Sequence, residues 1–102
     1  MKIAAEQVEI PKEKITGYLL VHKEKNDKSA FLSKLGYSIE NWEELANDIS
    51  NLVIKNEAFL QSRSTFGDMY EVHGNLKGVG IVTIWLLAVG TEKFRFITLY
   101  PN

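Results

Sequence analysis

The chain has no cysteine, which removes disulfides, thiolate nucleophiles and Cys-ligated zinc together and fits a reducing compartment. Proline is scarce at 2 residues, so few positions force a break in regular structure. Charge of one sign is also missing. Lys plus Arg number 12 against 13 Asp plus Glu, and a net charge of -1 gives no global field toward nucleic acid or anionic lipid, although a local basic patch is still allowed. The longest apolar run, IVTIWLLAV at 81–89, is far too short to cross a bilayer. Near Met1, the stretch MKIAAEQVEIPKEK is interrupted by Glu6, Glu9 and Lys12 and lacks the order of a signal peptide. These absences place the expected location in the cytoplasm, with no membrane partner.

What is present suits one α+β domain over residues 1–102, long enough to bury a core without metal or disulfide staples. Residues 3–10 carry a weak strand pattern that ends at Pro11. Ile15, Tyr18 and Leu19 then recur at helical spacing, with a strand as the alternative because of Gly17. HKEKND is a charged loop, Asp27 is the expected N-cap of a short helix carrying Phe31, Leu32 and Leu35, and Gly36 suits its left-handed end. Trp42, Leu45, Ala46, Ile49, Leu52 and Val53 form an apolar stripe at helical spacing, and Asn41 with Glu44 looks like a capping box. Trp42 begins that stripe, so core is favoured over ligand platform.

QSRSTFGD at 61–68 reads as a loop. Strand-like runs follow at 69–76, 80–89 and 93–100, joined by KGV and GTE, so antiparallel hairpins with the apolar middle run at the centre are expected. The predicted architecture is N-terminal helices packed on one face of a C-terminal three- to four-stranded antiparallel sheet.

Strand alternation puts Glu71 and His73 on one face of the first run. A register pairing His73 and Tyr100 with Thr83, and Glu71 and Thr98 with Trp85, would add those residues and Leu87, Phe94 and Phe96 to that face. Tyr70, Val72, Val82, Ile84, Leu86, Ile97 and Leu99 would meet the helices. Glu71 as base and His73 as acid, with Tyr100 placing the reacting group, would suit proton-transfer chemistry. Lys28, Arg63, Lys77 and Arg95 are candidates for holding a phosphate. The bland alternative is that Glu71 and His73 are the wet side of a sheet, and that His22 is a solvated loop or helix-end residue. Two histidines without repeated ligand spacing suggest no metal, and nothing calls for a cofactor. GNLKGVG joins two strands and lacks the Gly-Lys-Ser/Thr ending of a phosphate loop.

The order KITGYLL, DKSAFLSKLGY, NWEELANDI, FGDMYEVHGNLKG, TIWLL and FITLYP resembles a family of uncharacterised bacterial domains over nearly the whole chain. The family occurs alone and as C-terminal modules of phage head-morphogenesis-like and toxin-like proteins. The loop after YLL is shorter here, and the His-Pro-type turn reads VHKEK. Lys28, Trp85, Thr98 and Tyr100 fall within the matching motifs. The resemblance implies a toxin-like, metal-independent endoribonuclease. Lys28 or Arg95 would steady a phosphate, and Trp85 or Tyr100 would contact a base of RNA. The alternative is a non-catalytic interaction or immunity-like module, whose face of Trp85, Phe94 and Phe96 would cover a cognate protein partner or a second copy in a homodimer.

Overall fold

The structure, a computed structural model, describes residues 1–24 and 28–102. Asp27 and part of the expected HKEKND loop lie outside the described residues. A 3-10 turn (Ala5–Gln7) leads to β1 (Val8–Glu9), so the weak N-terminal strand shrinks to two residues before Pro11. The helical reading of the next segment holds in altered form. Helix α1 (Lys12–Lys14) runs into a π-helical turn (Ile15–Leu19), closed by Leu20 N–H donating to Ile15 O at 3.0 Å, and buries Ile15 and Leu19. Helix α2 (Ser29–Lys34) buries Leu32 and ends at Gly36, whose φ of 93° is the expected left-handed end.

Helix α3 (Trp42–Lys55) follows the apolar stripe and buries Leu45, Ile49, Leu52 and Val53, with Trp42 and Ala46 packed partly against the core. Its start departs from the expected capping box. A 3-10 turn (Ile39–Asn41) intervenes, the Asn41 side chain accepts from Ser38 N–H at 2.7 Å, and Glu44 is bonded to Lys77 instead.

Four antiparallel strands follow: β2 (Ala58–Arg63), β3 (Gly67–Leu76), β4 (Val79–Ala88) and β5 (Phe94–Pro101). Residues 61–63, expected in a loop, belong to β2, and only 64–66 make the connection to β3. The fold is α+β as expected, but the sheet is five-stranded and mixed. Its order is β1-β5-β4-β3-β2, with β1 parallel to β5.

Lys2 bridges to Glu57 outside β2, while Val8 pairs with Phe94 at the opposite edge. A flat sheet would separate those edges by about 24 Å at about 4.8 Å per strand. Six residues reach about 21 Å when fully extended. The sheet therefore curls toward the side on which Ile3 is buried, the side the helices cover.

The register of β4 differs by one residue from the expected one. Lys77 (φ 51°) and Gly78 (φ 80°) make a two-residue turn in which Leu76 pairs with Val79, so His73 faces Val82 and Glu71 faces Ile84. On the other side Thr98 pairs with Ile84 and Tyr100 with Val82, and a bulge then brings Phe96 opposite Trp85. Tyr70, Val72 and Leu99 remain on the helix side, joined by Thr83, Trp85, Phe94 and Phe96, while Val82 and Ile84 move to the outer face.

Gly74 lies on the helix side between Val72 and Leu76, where a Cβ would come within 2.5 Å of Leu52 Cγ and 2.9 Å of Asn56 Nδ2. Close approach of α3 to β3 thus requires glycine. Gly74→Ala is expected to lower stability by about 1–3 kcal/mol, read as a lower urea midpoint at unchanged slope. An unchanged midpoint would show that α3 yields without cost.

Tyr37 is almost fully buried, and its hydroxyl donates to Asp48 Oδ2 at 2.5 Å. Burial, followed by the hydrogen bond to Asp48 and the nearby Asp48 and Glu44 carboxylates, pushes its phenol well above the ordinary tyrosine range. In the unfolded chain the phenol ionises near its usual pKa of about 10, whereas the folded protein keeps the proton to higher pH. The stabilisation is complete below about pH 10 and is lost as pH rises beyond it. Tyr37→Phe should be less stable at pH 8 and should show a shallower alkaline decline, measured by urea unfolding at pH 8 and 11. Equal decline in both proteins would place the alkaline transition elsewhere.

Candidate functional site

The helices cover one face of the sheet, and the opposite face carries a row running Phe59, Glu71, Ile84 and Thr98 across β2 to β5. The next row holds His73, Val82 and Tyr100, and the row on the other side holds Ser62, Met69, Leu86 and Arg95, with Glu9 beyond it on β1. Glu71, His73, Thr98 and Tyr100 therefore share a face, as alternation predicts. Thr83 does not join them. Between the Glu71 and His73 pair on β3 and the two hydroxyl residues on β5 stands the apolar pair Val82 and Ile84. Both are buried, yet neither belongs to the core cluster.

His73 Nε2 lies 3.5 Å from Glu71 Oε1, with side chains 45% and 32% exposed. At that distance the two side chains are neighbours without a well-formed hydrogen bond. Tyr100 is two strands away, about 10 Å at the backbone. Thr98 shares a 2.9 Å hydrogen bond with the Tyr18 hydroxyl at the β5 edge.

The remaining predicted residues are dispersed. Arg95 reaches this face, but its Nη1 is held 3.0 Å from Glu9 Oε1. Lys28 precedes α2, where its carbonyl accepts from Leu32 N–H. Among the described residues, no hydrogen bond or ion pair joins it to Glu71, His73, Thr98 or Tyr100. Lys77 is bound at 2.8 Å to Glu44, which holds its ammonium above the ordinary lysine range, and Arg63 ends β2 at the far tip of the sheet.

Trp85 is 0% exposed on the helix side, stacked edge-on against Phe96 at 5.4 Å. Its Nε1 donates to Thr83 Oγ1 at 2.8 Å, and that hydroxyl donates to Val72 O at 2.8 Å. A base cannot reach this ring in the folded chain. The aromatic interface expected from Trp85, Phe94 and Phe96 is likewise interior.

The exposed aromatics of the outer face are Tyr100, 37% exposed, and Phe59, 56% exposed and directly opposite Glu71. Phe59 escaped the sequence reading because NEAFLQS carries too short an apolar run to mark a strand. Cavities of about 410 and 420 Å³ lie on the helical side. One is between α3 and the β3–β4 turn, and the other is around His22, Ser33, Tyr37 and Glu40. Among the described residues, no three His, Cys, Asp or Glu side chains gather as a metal site requires, and no helix is long and apolar enough to cross a membrane.

Comparison with curated proteins and with solved structures finds no match. The family model described as domain of unknown function DUF6883 matches residues 2–102, and the chain belongs to that family.

Proposed function

We propose that the domain is a small endoribonuclease that works without a metal on single-stranded RNA laid across the sheet face opposite the helices. The observation carrying this reading is the Glu71–His73 contact, flanked by the exposed ring of Phe59 and sharing its face with Tyr100. An open sheet presenting aromatic rings accepts unstacked bases, and an acid–base pair beside them reaches the sugar and phosphate.

This reading assigns the roles differently from Glu71 as base and His73 as acid. In-line transesterification needs its base and its acid on opposite sides of phosphorus, and Glu71 and His73 touch each other. They therefore serve one end together. Glu71 orients His73, which accepts the 2′-hydroxyl proton as O2′ bonds to phosphorus. The P–O5′ bond breaks at the other end, where the Tyr100 phenol, across Val82, hands its proton to the leaving oxygen. His73 then releases its proton to solvent, the phenolate regains one, and the products are a 2′,3′-cyclic phosphate and a 5′-hydroxyl. The test is cleavage of a single-stranded RNA in excess chelator, with the 2′-deoxy analogue as control. RNA cut only by the native chain supports the reading. No cutting, or cutting that chelator abolishes, overturns it.

A second reading rests on the accessible apolar side chains Phe59, Met69, Leu86 and Tyr100, which surround the buried Val82 and Ile84. It is the non-catalytic interaction module, with a second copy of the chain as the partner. Arg95 on this face is already paired with Glu9, and Glu71 has the His73 imidazole 3.5 Å away. A concentration-dependent mass that is lost in Phe59→Glu, with no RNA cleavage, would favour it.

A further inference from the structure

The geometry points to a phosphate subsite at the β5 edge, formed by Lys14 and Lys23 around Tyr18 and opening toward Thr98. Tyr18 leaves the π-helical turn at Ile15–Leu19, a local geometry that recurs at functional sites. The Lys23 ammonium lies 4.4 Å and the Lys14 ammonium 5.3 Å from the centre of its ring, so the two nitrogens are no more than about 10 Å apart. Neither forms an ion pair with a carboxylate among the described residues, in contrast to Lys77 and Arg95. One ring has two ammoniums beside it, and an anion at its rim would reduce their mutual repulsion.

Beyond Phe94 and Arg95, where β1 pairs, no strand of the described residues other than β4 pairs with β5, and the segment carrying Lys14 and Tyr18 lies beside it. The Tyr18 hydroxyl then ties the cluster to Thr98, in the row that continues through Ile84 to Glu71. A strand of RNA crossing from Glu71 and His73 toward that edge meets Thr98 after about 10 Å, two strand spacings. The ligand class is a phosphodiester of single-stranded nucleic acid, bound by charge and by the paired hydroxyls rather than by base identity. This subsite supplies the cationic hold that Lys28, Arg63, Lys77 and Arg95 do not. It rests on the nucleic-acid part of the proposed function and not on its catalytic step.

The test is binding of a fluorescent single-stranded oligodeoxynucleotide, which lacks the 2′-hydroxyl and is not cut by this chemistry, between about 50 and 200 mM salt. The chain is compared with Lys14→Gln/Lys23→Gln and with a control, Lys34→Gln/Lys55→Gln, that removes two exposed lysines of α2 and α3. Loss of two phosphate contacts should reduce the slope of log affinity against log salt by about 1.4 in the first variant. The control should keep the native slope. An unchanged slope in the first variant, an equal loss in the control, or no binding by the native chain at low salt each overturns the subsite. Binding that behaves as expected while RNA stays intact would sustain the subsite and sink the catalytic step.

Discussion

Trp85→Ala should cost about 3–5 kcal/mol of stability, much of the ~5–15 kcal/mol that holds a domain of this size folded. The ring is fully buried, packs edge-on against Phe96, and its Nε1 is the donor to Thr83 Oγ1. Truncation opens a cavity at the centre of the central strand and leaves that hydroxyl with one partner fewer. Urea unfolding should show a much lower midpoint, and Trp85→Phe, which keeps most of the volume, a smaller drop. Unchanged stability in Trp85→Ala would mean that the ring lies outside the core and would reopen its reading as a base contact.

His73→Ala should reduce RNA cleavage by about 100- to 10,000-fold, the contribution of a positioned general base, while leaving the unfolding midpoint nearly unchanged. His73 is exposed and is not part of the core cluster, so its loss removes chemistry and little packing. Glu71→Gln keeps the shape and removes the charge facing Nε2, and its effect should be smaller than that of His73→Ala. The double variant should be no worse than His73→Ala alone, because the two act as one unit. Multiplicative losses in the double variant would restore separate base and acid roles. Equal cleavage by the native chain and His73→Ala would end the catalytic reading. Tyr100→Phe, at the opposite end of the displacement, should slow cleavage without weakening binding of the uncut deoxy strand.

Helix α3 was legible because its apolar residues repeat at 3.6-residue spacing and nothing else fits Trp42 to Val53. The central position of β4 was legible from its unbroken apolar run. That same run hid the register. Ile81 to Trp85 are all buried, so alternation offers no vote on which parity faces the helices. The turn decided it. KGV predicts a three-residue connection, and the two-residue Lys77–Gly78 turn shifts every β4 partner by one. Size agrees with that outcome, since the helix side takes Trp85 and the outer face takes Val82 and Ile84.

By itself, the sequence determined the properties carried by local period: the α+β order, the α3 stripe, and the placing of Glu71 with His73 and of Thr98 with Tyr100. Neighbours two apart on a strand share a face wherever no bulge intervenes, as one does between Phe96 and Thr98. Only the tertiary structure decided which residues of different strands meet: Phe59 beside Glu71, Trp85 in the core, and Lys14 and Lys23 on one ring beside Thr98. Those contacts depend on the length of one turn, on one bulge and on the curl of a five-stranded sheet. Side-chain packing over the whole chain settles these features, and no window of local sequence contains it.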